Sequence, residues 1–147
     1  MNLRGVFLMT KTFIPLLPNH EGANIVCIAS WWGRSGHAYY SAYCTSKAGV
    51  ISLVQCLAGE LAEQGIRVNA VAPGNIDTPM HRNALETEAS ARGISFEEMK
   101  EIEWAKIPLG FAGAPENIAD AVAFLSSENA SYITGATLDV NGGVLFS

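Results

Sequence analysis

Apolar and polar residues fall along this chain in blocks of two lengths. Ile25-Val26-Cys27-Ile28-Ala29 and Val68-Asn69-Ala70-Val71-Ala72 are short, nearly continuous apolar runs, the pattern of strands covered on both faces of a parallel sheet. The longer blocks between them place apolar residues three and four positions apart, the period of a helix. The order predicted is helix over about 2–16, strand over 24–29, helix over 41–64, strand over 66–72, a variable segment with a short helix of its own over 77–110, helix over 115–126 and strand over 136–140. Strands alternating with helices imply an α/β unit whose parallel strands are joined by right-handed crossovers. No repeat, low-complexity tract or linker divides the sequence, so residues 1–147 read as a single domain.

Two of these helices have unusual patterns. Between Ala48 and Gly59 the helix over 41–64 has no charged residue. Val50, Leu53, Val54, Leu57 and Leu61 make one stripe, and Ile51 and Ala58 extend apolar character around it, so this helix is expected to be covered on two sides. The opening segment, with Arg4 near its start, resembles a secretory signal in composition, but Lys11 interrupts the apolar run, and Pro15 and Pro18 close it with no small-residue cleavage site after them. It is read as a core or interface helix. In the variable segment, Ser95-x-x-Glu98 has the form of a capping box opening a helix to about Trp104, with Phe96, Met99 and Ile102 on its apolar face.

Composition narrows the function. The chain is 49% hydrophobic and only 16% charged, more apolar than a small solvated domain requires, so some surface is expected to be covered by another body. A net charge of −5 with no basic stripe argues against nucleic acid. Three cysteines, Cys27, Cys44 and Cys56, are odd in number and suit reduced thiols in the cytoplasm. No run reaches the ~18–20 uncharged apolar residues of a membrane span. No metal-ligand set is assigned.

The candidate chemistry is at Tyr43 and Lys47. Four residues apart in a helix, they share a face one turn from each other, which brings an ammonium toward a phenol. A phenol titrating near ~10 is a poor proton shuttle at neutral pH, and lowering that by about three units takes roughly 4 kcal/mol. Two unit charges ~4 Å apart at an effective dielectric of ~20 interact by about that much. Ser30, thirteen residues before the tyrosine, ends the apolar run 25–29, where a hydroxyl can donate to a substrate oxygen. The same spacing also suits a tyrosine used only for packing.

Taken together, these residues resemble the C-terminal part of the short-chain dehydrogenase/reductase family. Ser30, Tyr43 and Lys47 match its serine and Tyr-x-x-x-Lys. Residues 68–80, with Pro73-Gly74, are similar to its Pro-Gly segment. Pro108-Leu109-Gly110, Pro115-Glu116-Asn117-Ile118-Ala119 and the closing Asp139-Val140-Asn141-Gly142-Gly143 resemble its later motifs. The opening Asn2-Leu3-Arg4-Gly5-Val6-Phe7 is similar to the family's helix with a catalytic asparagine. The resemblance implies a Rossmann-like doubly wound parallel sheet and an NAD- or NADP-dependent interconversion of an alcohol and a ketone. It implies that Tyr43 exchanges a proton with the substrate oxygen, and that Ser30 polarises that oxygen. Lys47 acidifies the tyrosine and holds the nicotinamide ribose, and Asn2 positions a water that relays protons. Tyr43, Lys47, Pro73, Gly74, Ile76 and Thr78 would contact the cofactor. It further implies a homo-oligomer, a dimer or tetramer, formed through the opening helix and the helix over 41–64.

The departure from the family lies in what this sequence lacks. No G-x-G-x-x-G turn occurs in it, and Gly33-Arg34-Ser35-Gly36 follows the serine strand instead of opening the fold. The expectation is a truncated domain without its dinucleotide-binding half, inactive alone; the alternative is a non-catalytic remnant or dimerising module. Residues 77–110 are expected to form a substrate lid. Its glutamates 86, 88, 97, 98, 101 and 103 would disfavour phosphorylated or acyl-carrier substrates, or simply make a solvated face. Small polyols, sugars or hydroxyketones fit, with Trp31, Trp32, His37 and Tyr39 at the pocket mouth or packed together. Phe111 stands where the family often has arginine.

Overall fold

A computed structural model describes residues 2–20 and 22–146. Three parallel strands, β1 (Asn24–Ile28), β2 (Arg67–Pro73) and β3 (Thr137–Val140), lie side by side in that order. Helices α1 (Asn2–Phe13), α2 (Ser41–Leu61), α3 (Pro79–Arg92), α4 (Phe96–Trp104) and α5 (Pro115–Ser126) surround and follow them. Helix α2 ends three residues before the predicted limit, where the chain tightens into a 3₁₀ turn over Ala62–Gln64 and leaves through Gly65. At φ +70° Gly65 adopts the left-handed conformation that closes a helix.

Successive residues of β2 point to opposite sides, and the side chains show what covers each. Val68 and Ala70, with Cys27 and Ala29 of the neighbouring strand, pack under Val50, Val54, Leu57, Ala58 and Leu61 of α2. On the other face Arg67 donates to the Leu125 and Ser127 carbonyls at the end of α5. Asn69, fully buried, uses both ends of its amide: Nδ2 donates to Ile133 O at 2.8 Å, and Oδ1 accepts from Ala136 N at 3.0 Å. That clasp fixes the entry to β3, and it satisfies a polar group whose burial would otherwise be costly.

Because α2 and α5 cover opposite faces while the chain steps in one direction from β1 to β2 to β3, the two crossovers have opposite hands. Right-handed connections throughout were the expectation, and only one of the two is right-handed. The second spans 63 residues between Gly74 and Ala136 and contains α3 and α4, far from the short unit to which the handedness rule applies.

The segment over 77–110 holds two helices where one was predicted. Thr78 caps α3, accepting from His81 N, Pro79 opens it, and Gly93 at φ +68° closes it. Helix α4 begins with the expected capping box of Ser95 and Glu98. Leu85 and Ala89 meet Met99 between the two helices, with Ile94 and Phe96 packed alongside. Ile102, assigned to that apolar face, is 42% exposed, because the contact between the helices is made one turn earlier.

Candidate active site at the carboxyl end of β1

Strand β1 delivers Ser30 just past its last paired residue, since Ala29 N still donates to Val71 O. Ser30 is buried and its Oγ accepts from Trp32 N at 3.2 Å, so the hydroxyl hydrogen remains free to donate elsewhere. Trp31–Gly33 form a single 3₁₀ turn, which Gly33 lets pack directly on the backbone of α2. A Cβ on Gly33 would stand 2.8 Å from the Lys47 carbonyl carbon and 2.9 Å from its oxygen. Only glycine allows that approach.

Helix α2 then returns Tyr43 and Lys47 to the same region. Lys47 Nζ lies 5.8 Å from the centre of the Tyr43 ring, so the predicted one-turn pairing is realised. The same Nζ donates to Ile28 O at 3.0 Å. The pairing of β1 with β2 turns the main-chain groups of Asn24, Val26 and Ile28 to the open side of the sheet, so this lysine occupies an acceptor on the edge of β1. Burial pushes the Lys47 ammonium below the ordinary lysine range. Trp32 connects serine and tyrosine: its main-chain N–H donates to Ser30 Oγ, and its ring meets Tyr43 edge to face at 5.8 Å.

The aromatic residues divide differently from the sequence expectation. Trp32 stacks on His37 at 4.2 Å and meets Tyr40 at 4.7 Å, and Trp31 meets His37 at 4.7 Å. Tyr39, expected beside them, is fully exposed at φ +70°, and Tyr40 takes its place. The signal was present in the spacing, since Tyr40 precedes Tyr43 by three residues and ends the turn from His37. Asn2 donates from Nδ2 to Ser46 Oγ at 3.3 Å, which sets α1 beside the turn of α2 that contains Lys47.

Pro73 and Gly74 end β2, where Gly74 N donates to Val140 O. A Cβ on Gly74 would lie 2.6 Å from Asn141 Cα, so this glycine is required by the close passage of the two strand ends. Ile76 bridges to Gly113, and the Thr78 hydroxyl is engaged as the cap of α3. Ile76 also lines a cavity of about 330 Å³ with Phe111, Asn117, Asp120 and Asn141, a space that includes neither Tyr43 nor Lys47. The proton-transfer candidates and the Pro-Gly segment therefore lie at the carboxyl ends of adjacent strands, where open α/β sheets bind ligands.

The acidic segment over 77–110 is largely balanced within itself. Asp77 pairs with Arg82, Glu88 with Arg92, Glu97 with Lys100 and Glu103 with Lys106, while Glu98 is held by Ser95. Those pairings match the solvated-face alternative better than a repulsive surface.

A parallel α/β sheet with a serine, a tyrosine and a lysine converging at one strand's carboxyl end defines the class of Rossmann-type oxidoreductases. The family model described as enoyl-(acyl carrier protein) reductase matches residues 1–145, and the chain belongs to the short-chain dehydrogenase/reductase family. It is 43% identical over 145 residues to a (3R)-3-hydroxyacyl-CoA dehydrogenase of Mus musculus, covering 98% of this chain and 52% of that protein. It is likewise 43% identical to the 3-oxoacyl-[acyl-carrier-protein] reductase FabG of Rickettsia bellii, covering 99% of this chain and 56% of that one. Among solved structures, a short chain dehydrogenase family protein from Francisella tularensis superposes with a TM-score of 0.92 at 33% identity, over 97% of this chain and 58% of that chain. The chain thus spans about half the length of the curated relatives it matches.

Proposed function

We propose that this chain supplies the proton-transfer half of a nicotinamide-dependent alcohol–ketone oxidoreductase. The observation that supports this reading most is the convergence of Ser30, Tyr43 and Lys47, through Trp32, at the carboxyl end of β1. In the reducing direction the Tyr43 hydroxyl gives its proton to the carbonyl oxygen while Ser30 donates a hydrogen bond to the same atom. Lys47 stabilises the phenolate that remains, at an approach that one turn of helix provides. Asn2, one position from Lys47 through Ser46, orients the proton supply behind it.

NAD or NADP supplies the hydride for the substrate carbon when bound. The residues present suit its nicotinamide end: Tyr43 and Lys47 would hold the ribose, and the backbone at Pro73, Gly74, Ile76 and Thr78 would meet the carboxamide. The bare approach of Gly74 to Asn141 is compatible with a ligand lying over the strand end. No Gly-rich turn for the pyrophosphate occurs in this sequence. Residues 77–110 act as the substrate lid, and the substrate is a small alcohol or carbonyl compound. The chain joins a second copy through α1 and α2.

A second reading is a chain that does not turn over by itself, favoured by the engagement of Lys47 with Ile28 O. Calorimetric titration of the 147-residue chain with NAD(H) and NADP(H) is expected to show no binding. Complementation with the amino-terminal half of a relative is expected to restore turnover. In that assembly Tyr43→Phe should abolish turnover and leave cofactor affinity within about threefold, as expected for a group acting in the transition state. Turnover retained by the phenylalanine variant would remove the proposed mechanism.

A further inference from the structure

Arg34 stands in the turn that follows Ser30, yet its side chain leaves that turn and crosses to β3. Its Nε lies 3.3 Å from Asp139 Oδ1, and its Nη2 donates to Thr137 O at 3.0 Å. Asp139 is paired in the sheet with Ala72, which puts its side chain on the face that α2 covers. The pair is partly shielded, with the arginine side chain 27% and the carboxylate 18% exposed. Thr137 O points away from β2, because Thr137 is opposite Ala70 and Ala70 N takes the carbonyl of Ala136. One guanidinium therefore grips both the face and the outer edge of β3.

The backbone between Ser30 and Arg34 has little slack. Trp32 N donates to Ser30 Oγ, Gly33 N to Ser30 O, and Arg34 N to Trp31 O. On one side Gly33 seats this turn against the Lys47 carbonyl, at a distance that excludes any side chain. On the other side Arg34 ties it to the strand whose next residues, Val140 and Asn141, abut Gly74. The turn is thus clamped between α2 and β3, and the clamp's two jaws touch the two strand ends that the proposed function uses.

We infer that Arg34 is a positioning residue: its ion pair with Asp139 and its bond to Thr137 O hold the Ser30 hydroxyl and the Trp32 ring in place against Tyr43. The inference rests on the proposed role of Ser30 for its catalytic meaning, but the clamp itself is measurable without substrate or cofactor. A guanidinium suits the task because one rigid plane sets its charge beside the carboxylate while donating to a carbonyl, which an ammonium does not. Removing it breaks the ion pair and the bond to Thr137 O, and lets the turn move away from β3.

The test is amide hydrogen exchange of the 147-residue chain, read at Trp32, Gly33 and Arg34, with core amides of β2 as the internal reference. Arg34→Met and Asp139→Asn are each expected to speed exchange at those three amides about tenfold relative to the reference. The near-ultraviolet dichroism of the Trp31, Trp32, His37 and Tyr43 cluster should weaken in parallel. The double variant should do no more than either single one, and Arg34→Lys should recover part of the protection. Unchanged exchange in a folded Arg34→Met or Asp139→Asn chain would overturn the clamp, as would effects that simply add. Should Arg34→Met fail to fold, Asp139→Asn and Arg34→Lys decide the matter alone. Failure of the Tyr43 prediction with the exchange result intact would remove the catalytic reading and leave the clamp standing.

Discussion

Lys47 illustrates how a residue proposed to serve chemistry can cost stability. Its ammonium is drawn into a partly buried site where desolvation disfavours the charged form, and its folded-state titration falls below that of a free lysine. At pH values under that lowered point, both folded and unfolded chains hold the proton and the full cost of burial applies. Between it and ~10.4, the unfolded chain binds more protons, so folding gains as pH rises. Urea midpoints of the parent chain, measured against Lys47→Met from pH 7.5 to 10.5, should therefore climb in the parent relative to the variant. Parallel curves would show that burial does not bear on this lysine. The Tyr43–Lys47 pairing itself was legible from four-residue spacing, because helical geometry is local. The bond to Ile28 O was not, since it depends on which edge of β1 lies open. Arg34 and Asp139 are further apart still, 105 residues in sequence, and no periodicity links them.

At the scale of elements, the boundaries that were legible are those marked by capping chemistry. Helix α5 spans the predicted 115–126, with Pro115 opening it and Asn117 Oδ1 accepting from Ala114 N. Helix α4 begins at its capping box as read. Helix α3 escaped notice although Thr78-Pro79 and Gly93 mark both ends. Its polar sequence buries only Leu85 and Ala89, too few positions to show a 3.6-residue period. The capping box offers a direct measurement. Ser95 Oγ accepts from Glu98 N, and the Glu98 carboxylate accepts from the Ser95 hydroxyl and then from Ser95 N, which together keep that carboxyl below its usual range. Ser95→Ala is expected to cost about 1 kcal/mol of stability by urea unfolding. The box's contribution is present above the ordinary glutamate range and lost as pH falls through the lowered value, so the difference between parent and variant should shrink in acid. A variant as stable as the parent at neutral pH would mean that the box does not hold α4.

The whole molecule exposes more apolar surface than a solvated domain of its size needs, and the sequence had indicated as much by its low charge. On α1, Phe7, Met9 and Phe13 are each about half exposed, while Leu3 and Val6 pack inward on α2. Phe7 borders a groove with Leu53 and Cys56, the flank of α2 that carries no charge. Beside it, β1 keeps its open edge, with Ile28 44% exposed and, among the described residues, the Lys47 amine set against one of the outward carbonyls. An edge of that kind accepts another strand, and a patch of that kind accepts another helix pair. The chain is therefore expected to elute from size exclusion as an oligomer, or to precipitate, when light scattering is recorded at micromolar concentration. Phe7→Glu, placed on the groove but outside the buried core, should shift the population toward monomer if the helices make the contact, and leave it unchanged if the β1 edge does. A parent chain that runs as a stable, compact monomer would contradict both routes, because it would mean that this surface tolerates water as it stands.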